Sequence, residues 1–163
     1  MFGKKKKKDQ IVDLTAAPAS NSGAPCEQDY VTYLKKAEEM IDLELKSYKI
    51  AAENLKVSSK KIARIKGVYS NKISRGKMKR YGVKINNYKD SLDSYVATAS
   101  RLTWLLDTYA SCREGLARLS ASPAKARKLR QSADKYAAGI LYKKGKIERI
   151  TDGIVMPVAT YVK

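Results

Sequence analysis

Residues 34–69, LKKAEEMIDLELKSYKIAAENLKVSSKKIARIKGVY, place an apolar side chain every seven positions: Leu34, Ile41, Tyr48, Leu55, Ile62 and Tyr69. A second row runs beside the first through Ala37, Leu45, Ala52, Ile65 and Ile73, weakened at Ser59 and Lys66. Two such rows make one apolar stripe on an α-helix, and a heptad repeat keeps that stripe facing a partner helix. The spacing predicts a helix from about Glu27 to Ser74, with Pro25 suited to its first turn and Glu27 and Asp29 complementing its dipole. At about 1.5 Å per residue it approaches 70 Å, far longer than an ordinary globular helix. A helix of that length needs a partner of its own length.

The partner follows in the chain. Ile85, Tyr88, Leu92, Tyr95, Ala99, Leu102, Leu106, Tyr109 and Leu116 alternate in steps of three and four, with Arg113 the one seam residue out of character. Between the stripes, Ser74 to Gly82 holds two glycines around a short charged stretch without periodicity and reads as the break. Ser120-Ala121-Ser122-Pro123 punctuates again, with Ser122 as cap and Pro123 as first helical residue. A third helix to about Ile150 carries a thinner stripe (Ala126, Leu129, Ala133, Tyr136, Ile140 and Ile147), and Gly139 and Gly145 predict fraying. The fold class is therefore all-α: a long antiparallel coiled-coil hairpin with a third, shorter helix packed at its base. Residues 1–25 are expected to be a flexible basic arm and linker, 26–150 the helical body, and 151–163 an extended apolar tail.

Composition narrows the chemistry. The 163 residues contain 34 Lys+Arg against 16 Asp+Glu, a formal charge of +18, and no His. Without His there is no Ser-His or Cys-His pair, no Glu-x-x-His helix and no zincin motif. Gly139 to Lys146 has the wrong glycine spacing for a phosphate loop and Ile147 where Ser or Thr is required. Glu38, Glu39 and Asp42, beside Lys35 and Lys46, read as solvated i,i+4 ion pairs rather than as a catalytic dyad. The sequence thus predicts no enzyme, no catalytic residue, no cofactor, no metal and no small-molecule substrate. With the turn taken near residue 79, Cys26 and Cys112 stand about 30 Å apart along the hairpin, so two free thiols are expected.

Charge is distributed unevenly. From Asn54 to Lys89 there is no acidic residue, while 12 are basic. Solubility alone would accept mixed signs. In a hairpin these residues flank the turn and make the distal end positive on all sides. The expected polyanion-binding set is Lys4, Lys5, Lys6, Lys7 and Lys8 in the arm, with Lys60, Lys61, Arg64, Lys72, Arg75, Lys77, Lys79, Arg80, Tyr81 and Lys84 at the tip. Tyr81, between Arg80 and Gly82, reads as freely displayed, whereas Tyr69 and Tyr88 occupy seam positions.

Lys outnumbers Arg 25 to 9. Lys acts as a point charge and Arg as a bidentate fork, so the balance favours unspecific attraction to a charged surface. Five lysines behind Phe2 suit an anionic leaflet. The start Phe2-Gly3-Lys4 before a basic helical hairpin is similar in architecture and charge to ESCRT-III proteins; those carry an acidic carboxy-terminal half, which this chain lacks, and no site residue is carried over from them. The reading is a scaffold that associates peripherally with an anionic membrane surface and self-assembles, on the cytoplasmic face and not secreted. A nonspecific nucleic-acid-binding protein and a structural subunit of a larger particle are the alternatives. Ile154–Val162 is expected to be covered by the chain itself, a second copy or a protein partner.

Overall fold

The computed structural model describes residues 26–63, 75–120 and 122–154. Among them stand three α-helices and no strand: α1 (Glu27–Ala63), α2 (Arg75–Leu119) and α3 (Pro123–Glu148). Helices α1 and α2 pack along their length as an antiparallel hairpin, and α3 packs against both less extensively. The expected arm (1–25) and most of the apolar tail (155–163) lie outside the described residues.

Helices α1 and α3 start for local reasons. The Asp29 carboxylate accepts the Cys26 backbone N–H at 2.9 Å, and this hydrogen bond holds its carboxyl below the usual range. Ser122 precedes α3 as anticipated, but it caps only through its backbone carbonyl, which accepts the Ala126 N–H at 3.0 Å. Helix α3 continues unbroken through Gly139 and Gly145, so the fraying expected there is absent. Packing of Ala133, Ile140 and Ile147 on one face outweighs the propensity loss at two glycines. Gly153, with φ 74°, turns the chain after α3, a backbone conformation that favours glycine.

The core runs through all three helices. Tyr33, Ala37, Ile41, Leu45, Tyr48 and Ala52 from α1 meet Leu102, Leu105, Tyr109 and Cys112 from α2, and Ala133, Ile140 and Ile147 from α3. Most of the expected stripe is there, with two differences. Ile85 is 52 % exposed. A strict seven-residue repeat drifts about 20° per heptad on a straight helix, and more than two heptads from Leu102 it has left the buried face. Conversely, Thr98, Leu105, Cys112 and Ala117 are buried although they lie off the seam: the first three share the flank of α2 on which Arg101 meets Glu44 and Gly115 meets Tyr30 of α1, and Ala117 lies on the flank of Arg113, toward α3.

The helix register corrects the position of the turn. The Tyr30 ring crowds Gly115, Glu38 meets Tyr109, Glu44 meets Arg101 and Tyr48 meets Tyr95. Continued at this step, the register brings Ala63 level with Gly82. Ser74 to Gly82 is thus not the break: α2 begins at Arg75 and runs through Gly76 and Gly82. Helix α1 is described to Ala63 and α2 from Arg75, and the first turns of α2 pass beyond the level of Ala63. The cysteine offset shrinks accordingly. Cys112 stands level with Tyr33, about 10 Å along the axis from Cys26. Both thiols are free; Cys26 is exposed, and burial pushes the Cys112 thiol up.

Helix α3 runs antiparallel to α2 and parallel to α1. Lys125 pairs with Glu27, Arg113 pairs with Asp134, and the Tyr136 hydroxyl donates to the Glu38 carbonyl at 3.0 Å. Arg113, out of character in a seam, is explained by this geometry: it faces α3, where Asp134 receives it, with Glu114 of its own helix 3.4 Å away. The base of the molecule is a three-helix bundle. Among the described residues, past Tyr48 and Tyr95 the hairpin continues flanked by the turn at 150–154 alone.

Candidate polyanion-binding surface

The distal end is assembled from the last turns of α1 and the first turns of α2. Lys60 and Lys61 close α1 and are exposed. Lys77, Lys79 and Arg80 are exposed in the opening turns of α2, and Lys84 is half-buried one turn further on. Arg75 is the first residue of α2. Lys4, Lys5, Lys6, Lys7, Lys8, Arg64 and Lys72 lie outside the described residues. The hairpin therefore brings together six of the expected basic residues whose side chains are described, contributed by two helix ends.

Helix α2 has no acidic residue in its first turn, and its opening sequence is Arg75-Gly76-Lys77. Cationic side chains at a helix N-terminus meet the positive end of the macrodipole. This end of α2 therefore carries an electrostatic conflict that any anion would relieve. At the base of the molecule four basic residues are paired within the fold: Lys125 with Glu27, Arg130 with Glu114 at 3.4 Å, Arg101 with Glu44 at 2.9 Å and Lys144 with Glu148 at 2.7 Å.

Two expectations about the surface change. Tyr81 is not displayed on a turn; it sits inside α2, half-buried. Tyr88 is buried, and desolvation raises its hydroxyl above the ordinary tyrosine range. Nor is the tip positive on every side. The turn after α3 swings Asp152 to a groove of about 300 Å³ shared with Lys56, Lys60, Tyr88 and Ile154. Nothing in the sequence pattern connects residue 152 with residue 60; only the parallel α1–α3 arrangement does.

The acidic cluster also has a different role from the one its spacing suggests. Glu38 accepts the Tyr109 hydroxyl at 2.8 Å through its carboxylate, and Tyr136 reaches both the Glu38 carbonyl and Asp42. Burial first, then the Glu38 carboxylate, push the Tyr109 hydroxyl well above its usual range, and burial first, then Asp42 and Glu38, do the same for Tyr136. The cluster is a three-helix clamp. Among the described residues no group of three His, Cys, Asp or Glu has metal-binding geometry, and no helix is long and apolar enough to cross a membrane. No protein-family model, curated protein or solved structure matches the chain.

Proposed function

We infer that the protein is a non-enzymatic helical scaffold that docks peripherally on an anionic membrane surface through the distal end of its hairpin, and that it self-assembles there. The carrying observation is the group Lys60, Lys61, Lys77, Lys79 and Arg80, exposed at one end of the hairpin inside a stretch, 54–89, that contains no acid. Lysine point charges suit the mobile anionic headgroups of a leaflet, each contributing about 1 kcal/mol near such a surface. Tyr88 is buried and Tyr81 half-buried, which favours a charged surface over single-stranded nucleic acid, where stacking on open rings supplies much of the affinity.

Vesicle sedimentation tests the reading. Wild-type protein is expected to sediment with vesicles containing phosphatidylserine and not with neutral phosphatidylcholine vesicles, and to be released as salt rises. The variant Lys77→Ala/Lys79→Ala/Arg80→Ala/Lys84→Ala should lose most of that binding. Binding of duplex DNA or RNA with no affinity for anionic vesicles would replace this reading with the nucleic-acid one. Unchanged binding by the stripped variant would overturn the role of the tip.

A further inference from the structure

The outer face of α1, opposite the core, carries a second heptad stripe. Leu43, Ile50 and Val57 recur every seven residues and are 60 %, 58 % and 52 % exposed, with Met40 at their edge. Large apolar side chains in register on a solvent-facing helix mark a contact surface rather than scattered exposure. Ser47 and Asn54 share the stripe, at the positions that pair with Leu43, Ile50 and Val57 in a coiled-coil seam.

The charges beside the stripe select the occupant. Taking Leu43, Ile50 and Val57 as d positions puts Met40, Ser47 and Asn54 at a, and Glu39, Lys46, Glu53 and Lys60 at g. In an antiparallel pair of identical helices, a residues meet d residues of the other copy and g residues meet g residues. Met40 then opposes Val57 of the second copy, Leu43 opposes Asn54, and Ser47 opposes Ile50. The same register sets Glu39 against Lys60 of the second copy and Lys46 against Glu53, and the two-fold axis repeats both pairs. Every g–g contact joins opposite charges. A parallel pair would instead set Glu39 beside Glu44 of the second copy, like against like.

We propose that the protein forms an antiparallel homodimer through the outer face of α1, with Leu43, Ile50 and Val57 as its apolar contacts and Lys46–Glu53 as its charge-selecting pair. The proposal deepens the self-assembly part of the proposed function and does not depend on polyanion binding. Polar Ser47 and Asn54 in the seam make the association moderate and concentration-dependent while fixing its register. Leu43, Ile50 and Val57 face away from the hairpin core, so the interface leaves the fold of each copy unchanged. Two copies joined this way point their basic tips in opposite directions.

Sedimentation equilibrium of the full chain, without lipid or nucleic acid, tests it. Wild type is expected to show a monomer–dimer equilibrium. Ile50→Asp should abolish the dimer with helicity and melting of the monomer retained. Lys46→Glu should weaken it about tenfold or more, because two symmetry-related pairs become repulsive at once. The double swap Lys46→Glu/Glu53→Lys should restore wild-type affinity, an outcome that a general loss of charge or fold does not produce. A chain that stays monomeric at all concentrations overturns the proposal. So does a monomer whose melting temperature falls with Ile50→Asp, since the stripe is then covered by the chain's own arm. Dimerisation unchanged by Lys46→Glu alone places self-assembly on another face. In each case vesicle binding is read separately and stands or falls on its own.

Discussion

Tyr48 and Tyr95 stack with ring centroids 5.0 Å apart, and the Tyr48 hydroxyl donates to that of Tyr95 at 2.8 Å. The Tyr95 hydroxyl lies 3.3 Å from Thr151 Oγ1, which itself donates to the Glu148 carbonyl at 2.7 Å. One short polar chain thereby ties α1 and α2 to the end of α3, at the level where the three-helix base gives way to the two-helix stalk.

Tyr95→Phe keeps the stacked ring and removes the bridge. The expected loss is about 1 kcal/mol, the usual net value of such hydrogen bonds. Amide hydrogen exchange should accelerate at 149–154 and remain unchanged in the middle of α1, because the severed contact anchors the turn rather than the hairpin.

Raised hydroxyl pKa values translate into alkaline lability. Tyr48, Tyr109 and Tyr136 are pushed above the ordinary value of 10.0, in each case chiefly by burial. The folded protein therefore keeps protons that the unfolded chain releases above about pH 10, and stability falls as pH rises past that point while remaining whole below it. In a pH titration followed by tyrosinate absorbance, three of the eleven tyrosines should ionise only together with loss of helicity. The triple Tyr→Phe variant should shift alkaline unfolding to higher pH.

Glycines on α2 should respond in opposite directions. A Cβ on Gly115 would stand 2.5 Å from the Tyr30 ring, whereas one on Gly82 meets nothing within 4 Å. Gly82→Ala is expected to stabilise by about 0.5–1 kcal/mol through helix propensity. Gly115→Ala should destabilise by about 1–3 kcal/mol from overpacking, and in a Tyr30→Ala background that penalty should vanish. Thermal melts of Gly82→Ala, Gly115→Ala, Tyr30→Ala and the Tyr30→Ala/Gly115→Ala double variant decide it.

Burial separates two seam positions that look equivalent in the heptad. Leu102 is fully buried and Ile85 is exposed. Leu102→Asp should unfold the domain by stranding a charge in the core, a loss of several kcal/mol. Ile85→Asp should change stability by no more than about 0.5 kcal/mol. Equal melting temperatures for the two variants would contradict the α1–α2 register.

The heptad rows make the hairpin legible because the rule linking them to a partner helix is local and periodic. Ser122-Pro123 marks the start of α3 for the same reason. What the rows do not carry is the turn. Gly76 and Gly82 have the composition of a break, but helix interiors tolerate glycine when neighbouring positions such as Tyr88 and Leu92 are anchored. Glu38 serves two neighbouring helices and Arg113 reaches across to α3, roles that arise only after α3 is placed. Gly115 holds a signal of its own: a glycine deep in a helical stripe often marks close approach of another side chain, and in this fold that side chain is Tyr30. The apolar row Leu43–Ile50–Val57 is equally readable, but the stronger stripe beside it masks it.

The corner between α2 and α3 also orders the route to the native state. Arg130 and Glu114 meet across 16 residues of chain, Tyr48 and Tyr95 across 47, and Tyr136 and Asp42 across 94. Closing the last of these directly would require roughly 1.5 kcal/mol more chain entropy than closing the first. An α1–α3 pair therefore forms only after α2 has gathered one of them, and α2 is the element both others must find. Pulse-labelled hydrogen exchange should show amides of α2 protected no later than those of either neighbour, and the contacts of Tyr136 with α1 among the last to be acquired.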